Sequence, residues 1–294
     1  MRLTGFLALL NLPIAALALT VSTIDNPGPM GAGGTAAQAM NSKGDGIGFS
    51  FDNGGVSHGF LLRQGKFAII DHPGYVHTSP RGINNLDEIV GQVDNRPVSD
   101  STLPTSGFIL DQQGNFTKVD YPGASITGLF GINDSEQIVG NYQDSGFISH
   151  GFILENGNFL NIDIPGATGG TVATGINEAG AVVGFFTGPG GTHGFLRTVN
   201  GAYRTIDVPG AIGTFARGIN DHGEITGQFT DAAGLTHTFL FSQGQFSTID
   251  APRAVATFGR GINDRGFIIG NFSDGSGALH AFIVTGDNAK GAGQ

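Results

Sequence analysis

The chain repeats one sequence unit six times along most of its length. An Asp-x-Pro tripeptide recurs about every 43 to 49 residues, beginning at Asp25, Asp71, Asp120, Asp163, Asp207 and Asp250. An asparagine follows each tripeptide, in most copies within Gly-Ile-Asn, and a glycine in an apolar run follows seven residues after that asparagine. Repeats of this length indicate stacked units, because one unit cannot bury its apolar face alone. The fold is therefore expected to consist of six similar modules.

Each unit contains four short strand-like runs separated by turn residues. In the fifth unit these runs are 214–220, 224–230, 237–241 and 245–250. Four strands in roughly 40 to 50 residues are typical of one blade of a β-propeller. The glycine content, 51 of 294 residues, agrees with short strands and tight turns. The sequence therefore predicts an all-β, six-bladed β-propeller with four strands per blade.

The two ends of the chain predict how the ring closes. Residues 21–25 match the fourth strand of other units, such as 246–250, whereas the last unit stops after its third strand at 280–284. The N-terminal strand should therefore complete the last blade as its outermost strand, which removes the exposed sheet edges. A parallel solenoid is the competing architecture, but it would not explain this circular permutation. In the propeller, the Gly-Ile-Asn strands lie innermost, beside a central channel.

The first residues have the features of a secretory signal peptide, with Arg2 followed by an apolar run and the small residues Ala16 and Ala18. We therefore expect a protein that is secreted or lies in the lumen of the secretory pathway. The expected organisation is a signal peptide at 1–18, the propeller at 19–285 and a flexible tail at 286–294. Three sequons are candidate glycosylation sites, at Asn115, Asn133 and Asn271, although they coincide with recurring repeat positions.

Composition argues against several partners. The chain has no cysteine, which excludes disulfides and thiolate metal sites. Its net charge of −10 and the lack of a basic stripe argue against nucleic-acid binding. The N-terminal apolar run is too short to span a membrane. The recurring histidines lie on third strands, too far apart for a shared metal, so they are predicted to be hydrogen-bonded scaffold, like the repeated aspartates. They are His58, His150, His193, His237 and His280.

Function is expected where the copies differ on the channel side. The position before Gly-Ile-Asn reads, around the ring, Gln38, Arg81, Phe130, Thr174, Arg217 and Arg260. Three arginines near one axis would repel each other unless an anion, carboxylates or water screened them. The alternative is that they point between blades and pair with acidic neighbours. No metal or other cofactor is implied by these residue types.

Two loops and two further aromatic residues also depart from the repeat. The loop into the second blade carries His72, Tyr75 and His77, where other copies have small residues. The loop 94–106 is longer than its counterparts and is a candidate cover for the channel mouth. Phe215 and Phe258, together with Phe130, are candidates for an apolar wall, although core packing would explain them equally well.

The repeat unit, as in residues 257–270, resembles extracellular repeats of bacterial proteins that have no assigned function. A signal peptide followed by six such units is also similar to the fungal hetero-Diels–Alderases of tropolone–sesquiterpenoid biosynthesis. This resemblance covers the whole mature chain, rests on scaffold motifs and carries over no catalytic residue. It implies a cofactor-independent, intermolecular, inverse-electron-demand cycloaddition between a tropolone quinone methide and a humulene-type alkene.

The residues that differ between copies suit such a reaction. Arg81, Arg217 and Arg260 are candidates for binding the oxygens and stabilising developing negative charge. His77, or His72, is a candidate for assisting the loss of water from the precursor. The candidate substrate-binding residues are Gln38, Tyr75, Tyr121, Phe130, Thr174, Phe215 and Phe258.

The expected partner is a small apolar or aromatic molecule in the central channel. The main alternative is a non-catalytic secreted propeller that binds a small molecule or carbohydrate. A hydrolase or lyase is the least favoured reading, because no pair of carboxylates stands outside the repeat pattern.

Overall fold

The structure is a computed structural model that describes residues 19–96 and 105–286. Within these ranges the regular elements are β-strands, apart from one 3-10 turn at Pro29–Gly31. The strands form six antiparallel four-stranded blades, and one parallel bridge from Thr192 to Gly213 joins blades 4 and 5. The predicted six-bladed propeller is confirmed. The predicted signal peptide at 1–18 and the tail beyond Gly286 lie outside the described residues.

The four strands of each blade lie side by side, in order from the axis to the outer edge. Blade 1 contains β2 (Thr35–Met40), β3 (Gly46–Phe51), β4 (Ser57–Arg63) and β5 (Lys66–Ile69). Blade 2 contains β6 (His77–Ile83), β7 (Ile89–Asp94), β8 (Ser106–Leu110) and β9 (Phe116–Val119). Blade 3 contains β10 (Ile126–Ile132), β11 (Ile138–Gln143), β12 (Ser149–Glu155) and β13 (Asn158–Ile162). Blade 4 contains β14 (Thr171–Ile176), β15 (Val182–Gly188), β16 (Gly191–Arg197) and β17 (Tyr203–Ile206). Blade 5 contains β18 (Gly213–Ile219), β19 (Ile225–Thr230), β20 (Thr236–Ser242) and β21 (Gln245–Ile249). Blade 6 contains β22 (Ala256–Ile262), β23 (Ile268–Ser273), β24 (Leu279–Gly286) and β1 (Leu19–Thr23).

The N-terminal strand closes the ring as the sequence predicts. Strand β1 pairs antiparallel with β24, with Val21 opposite Val284. Asp25 follows directly, and its side chain contacts His280 Nδ1 at 2.6 Å and accepts the backbone N–H of Ala281 at 2.9 Å. The first and last described strands therefore belong to one blade, and no blade is left with three strands.

One phenylalanine from each third strand fills the space between neighbouring strands. These six side chains are almost completely buried; they are Phe60, Phe108, Phe152, Phe195, Phe239 and Phe282. Burying such a side chain contributes roughly 1.5–3 kcal/mol. The repeated glycine of the second strand makes room for the ring, because a Cβ on Gly184 would lie 2.8 Å from Phe195 and 2.0 Å from the Val172 carbonyl oxygen.

The recurring histidines pair with the recurring aspartates, which agrees with a scaffold role. His193 Nδ1 lies 2.8 Å from Asp207, and the other histidines make the equivalent contact at 2.6 to 3.0 Å. The carboxylates of Asp207 and Asp25 raise the pKa of His193 and His280 through these bonds. Ser106 takes the histidine position in blade 2.

The three candidate glycosylation sites differ in how deeply their side chains are buried. Asn133 is 1% exposed and Asn271 is 2% exposed, so neither side chain can carry a glycan in the folded blade. Asn115 is exposed, at the end of the turn and directly before β9. Of the three sequons, only Asn115 therefore lies where the folded protein can accommodate a glycan.

Candidate functional site

Each innermost strand has a β-bulge at the position that varies between the copies. The register of β6 against β7 shifts between Pro80 and Gly82, which leaves Arg81 without an opposite residue. The same shift occurs at the equivalent residues of the other blades, Gln38, Phe130, Thr174, Arg217 and Arg260. A bulge redirects the side chain of the extra residue. Five of the six, all except Phe130, line a single axial cavity of about 80 Å³.

The channel narrows directly after the bulges. The next residue is glycine in five blades and Ala39 in the first, and these backbones nearly touch across blade boundaries. A Cβ on Gly218 would lie 3.0 Å from the Cα of Gly261, so larger side chains would push the inner strands apart. Beyond this constriction lies an apolar collar formed by Met40, Ile83, Ile132, Ile176, Ile219 and Ile262. The collar separates the bulge-lined cavity from a second cavity of about 70 Å³ at the opposite end.

The opposite end is held by a closed circle of asparagines. Each Nδ2 donates to the backbone carbonyl of the corresponding asparagine in the next blade at 3.0 to 3.2 Å. The members are Asn41, Asn84, Asn133, Asn177, Asn220 and Asn263. Carboxylates beside the circle also accept backbone N–H groups across blade boundaries; Asp221, for example, accepts from Glu178 at 2.9 Å. Burial, together with the charges of Asp134 and Asp221, raises the pKa of Glu178. These acidic groups therefore serve to join blades.

The three arginines at the bulge end have no carboxylate partner among the described residues. Arg81 Nη1 donates to Gln38 Oε1 at 3.0 Å, and the Nε of Arg81, Arg217 and Arg260 is buried without a hydrogen-bond partner. Burial, reinforced by the charge of Arg260, lowers the pKa of Arg81 to about 10. Burial alone lowers the pKa of Arg260 to about 10, and burial with the other two charges lowers the pKa of Arg217 as well. The structure thus excludes pairing with acidic neighbours in the described region and shows a cluster of mutually repelling cations.

Aromatic rings cover the arginine side chains. The Arg217 guanidinium lies 4.7 Å from the Phe185 ring and 5.7 Å from the Phe215 ring, which meet edge to face at 5.1 Å. Arg81 lies 5.0 Å from Phe49, and Arg260 lies 5.9 Å from Phe258. Each such contact contributes roughly 0.5–2 kcal/mol but leaves the net charge unchanged. Phe215 and Phe258 therefore lie beside the arginines.

A second variable position, which the sequence analysis did not identify, also borders the arginine cluster. It is the residue after the repeated glycine of each second strand: Phe49, Gln92, Asn141, Phe185, Gln228 and Asn271. Phe49 contacts Arg81 of the next blade, and Phe185 contacts Arg217 of the next blade. The signal was present in the sequence, because this position differs between copies just as the bulge position does.

Two predicted substrate-binding residues lie away from the channel. Tyr75 packs edge to face on His72 and against the hydrophobic core shared by blades 1 and 2. Tyr121 stacks on Tyr142 with ring centroids 3.5 Å apart, and its hydroxyl donates to Asn161 on the outermost strand of blade 3. Neither Tyr75 nor Tyr121 is among the residues that line the bulge-lined cavity.

Other candidates have side chains that are already engaged. His77 Nδ1 accepts the Ser57 backbone N–H at 3.1 Å, and its Nε2 donates to the Arg96 carbonyl at 3.0 Å, so it is not free for proton transfer. Thr174 lines the cavity, but its hydroxyl donates to the Ala216 carbonyl at 2.9 Å.

The two remaining candidates are the Phe130 ring and the loop that is expected to cover the channel mouth. The tip of the Phe130 ring would lie 2.9 Å from a Cβ on Gly128, so the ring folds back along its own strand. Of the loop 94–106, residues 97–104 lie outside the described residues.

The described residues lack two further features. They contain no helix that is long and apolar enough to cross a membrane. Nor do they contain a group of three or more histidine, aspartate or glutamate side chains arranged to hold a metal ion.

Comparison with known proteins supports the fold. No protein-family model matches the chain, and no curated protein is similar to it in sequence. In fold it is similar to a triple arginine mutant of AofleA from Arthrobotrys oligospora, with a TM-score of 0.56 and 12% identity over 90% of this chain and 86% of that one. It is also similar to virginiamycin B lyase from Staphylococcus aureus, with a TM-score of 0.51 and 12% identity over 91% of this chain and 99% of that one. A gluconolactonase from Xanthomonas campestris gives a TM-score of 0.52 and 10% identity over 90% of this chain and 89% of that one. Propellers of different activities therefore share this architecture.

Proposed function

We propose that the bulge end of the channel binds the oxygen atoms of a small planar organic molecule, either an anion or a strongly polarised carbonyl compound. The observation that carries this proposal is that Arg81, Arg217 and Arg260 line one cavity without a carboxylate partner among the described residues. Buried cations in this arrangement destabilise the folded protein, and a bound oxyanion would offset that cost. Each charge-assisted hydrogen bond would contribute roughly 1.5–3 kcal/mol.

The size of the cavity limits how the ligand lies. About 80 Å³ is well below the roughly 300–1,000 Å³ of a typical ligand pocket. The cavity therefore takes only the polar end of the molecule. The remainder would lie toward the channel mouth, against the half-buried rings of Phe215 and Phe258.

The reaction that we propose is a cofactor-independent hetero-Diels–Alder addition of an electron-poor quinone methide to an apolar alkene. The resemblance to the fungal hetero-Diels–Alderases supports the reaction type, and the arginines supply the matching chemistry. One C–C and one C–O σ bond form as the alkene C=C and the conjugated C=C–C=O system of the quinone methide together lose two π bonds; no proton or leaving group moves, so the step needs no free acid or base. Guanidinium groups that bind the quinone methide oxygen withdraw electron density and stabilise the charge that develops there. Holding the two reactants together in the correct orientation can lower the activation barrier by roughly 7–11 kcal/mol.

The alternative function is binding without catalysis. It is favoured by the engagement of His77 with Ser57 and Arg96, because loss of water from a quinone methide precursor would then have no assigned acid in the described residues. A secreted binding protein would use the same arginines and the same aromatic rings.

Two measurements separate these functions. Binding of tropolone is measured by calorimetry for the wild type, for the double variant Arg217→Met/Arg260→Met and for the exposed control Arg204→Met. We expect binding by the wild type and the control, and at least a tenfold loss in the double variant; no binding by the wild type would contradict the proposal. Adduct formation from a tropolone quinone methide precursor and humulenol is then compared with a protein-free reaction. Equal rates and equal stereochemistry, with tropolone still bound, would leave the non-catalytic function.

A further inference from the structure

An exposed residue precedes the innermost strand of each blade, five positions before the bulge residue. Around the ring this rim residue is Gly33, Val76, Ser125, Gly169, Ile212 and Val255. Val76 is 50% exposed, Ile212 is 59% exposed and Val255 is 55% exposed. Single exposed apolar side chains are common on protein surfaces. At this position, however, they occur in blades 2, 5 and 6, which are the three blades whose bulge residue is arginine.

The rim residues and the arginines lie on the same side of the apolar collar. Each inner strand runs from its rim residue through the bulge to the collar and the asparagine circle, so the bulge-lined cavity faces the rim. Five residues of extended strand span roughly 16 Å. A ligand whose polar end contacts Arg217 therefore reaches Ile212 only if the rest of the molecule is long.

In blades 5 and 6, the strand between the arginine and the rim residue presents an apolar face. In β18 and β22 the first, third and fifth residues are partly exposed, and the residues between them are buried. Alternate residues share one face of a strand. Before the arginines, that face consists of Gly213, Phe215, Ala256 and Phe258. The Phe215 ring lies back along its own strand, because a Cβ on Gly213 would lie 3.7 Å from Phe215 Cε2.

Blade 2 has the charged end and the rim residue of this pattern but not the apolar face. Between Arg81 and Val76, the partly exposed residues of β6 are Ser79 and His77. Both contact Ser57 of blade 1, with 3.5 Å between the two serine hydroxyls and 3.1 Å from the Ser57 backbone nitrogen to His77 Nδ1. Blades 5 and 6, which are neighbours in the ring, therefore supply the apolar surface, and blade 2 adds a charge to the floor.

We infer that the ligand is an amphiphile whose oxygen-bearing end contacts the arginines and whose apolar part lies along blades 5 and 6 as far as Ile212 and Val255. This inference rests on the proposed function and narrows its ligand class to molecules with an extended apolar part. The buried charges fix the orientation, because an apolar group placed against them would leave them without compensation. The co-occurrence of arginine and exposed apolar residue in the same blades follows, since one molecule contacts both.

The test compares benzoate with para-octylbenzoate, which has the same planar anionic end and an added alkyl chain. Binding is measured by calorimetry with the folded protein, at probe concentrations below micelle formation. Each buried methylene strengthens binding roughly fourfold. The wild type should therefore bind para-octylbenzoate at least about twentyfold more tightly than benzoate. Octyltrimethylammonium, which has the same chain on a cation, should not bind.

Substitutions at the rim test where the chain lies. Ile212→Ser/Val255→Ser changes two exposed side chains, so it should fold like the wild type. It should weaken para-octylbenzoate binding at least about fivefold and leave benzoate binding unchanged. Leu160→Ser/Val199→Ser is the matched control, because these apolar residues are equally exposed on an outermost strand and in a turn away from the rim. The control should bind both probes like the wild type.

The possible results separate the inference from the proposed function. If benzoate binds and the octyl chain adds nothing, the inference is overturned and the proposed function stands. An octyl gain that survives in Ile212→Ser/Val255→Ser, or that is lost equally in the control, would also overturn the inference. If neither anion binds the wild type, or if octyltrimethylammonium binds as tightly as para-octylbenzoate, both the inference and the proposed function fail.

Discussion

At the residue scale, the channel side of the six repeat copies differs at two positions. The bulge residue and the residue after the second-strand glycine meet at each blade boundary, as in the contact of Arg81 with Phe49. Where the bulge residue is arginine, burial lowers its pKa and the described residues supply no anion. A repeat that is otherwise uniform therefore retains three cationic side chains whose charge no carboxylate of the described residues offsets.

Replacing one arginine tests whether burial of these charges destabilises the folded protein. Arg217→Met should leave the melting temperature unchanged or raise it by a few degrees, because the change removes a buried charge that repels Arg81 and Arg260. The same change should weaken tropolone binding about 10- to 100-fold, the equivalent of one or two charged hydrogen bonds. Thermal unfolding and calorimetry measure both effects, with Arg204→Met on the exposed outer strand as control. A fall of many degrees would show that Arg217 is scaffold.

At the element scale, the inner strands are joined by side chains as well as by packing. The asparagine circle links every blade to the next through one amide, and the same asparagine shapes its own turn. Asn220 donates to Asn263 and to Glu224, while its Oδ1 accepts the N–H groups of His222 and Glu224. A residue that satisfies four bonds at once explains why each unit retains asparagine at this point.

Asn220→Ala should therefore lower the free energy of unfolding by about 2–4 kcal/mol, because it leaves several buried groups unpaired. Urea unfolding measures the change. Asn158→Ala, at an exposed strand end, should change it by less than about 0.5 kcal/mol. A similar loss in both variants would contradict a special role for the circle.

At the scale of the whole molecule, stability depends on one closure between distant parts of the chain. Asp25 joins the N-terminal segment to β24 through His280, and the carboxylate raises the pKa of that histidine. A histidine whose pKa is higher in the folded state contributes stability that is fully present below its unfolded pKa. That stability is lost as the pH rises through the folded value. The contact between Asp25 and His280 should thus contribute less to the stability of the folded protein above neutral pH.

Asp25→Asn tests this pH dependence, since the amide keeps an acceptor for Ala281 but loses the charge. The wild type should exceed the variant in melting temperature most at about pH 5.5 to 6.5, and the difference should shrink toward pH 8.5. Asp120→Asn is the matched control, because Asp120 contacts Lys118 in the blade that has Ser106 in place of histidine. A difference that grows with pH would contradict this account of the closure.

The sequence by itself determined the blade count, the four strands per blade, the closing strand and the ring of variable positions before Gly-Ile-Asn. These features follow from a repeat period and a circular permutation, both of which are written along one dimension of the chain. The tertiary structure decided which variable residues meet. It stacked Tyr121 on Tyr142, engaged His77 with Ser57 and Arg96, and set Phe49 and Phe185 against the arginines of the next blades. Those outcomes depend on bulge direction and on contacts between residues that are far apart in the sequence, such as His77 with Ser57 and Phe185 with Arg217, which no local pattern encodes.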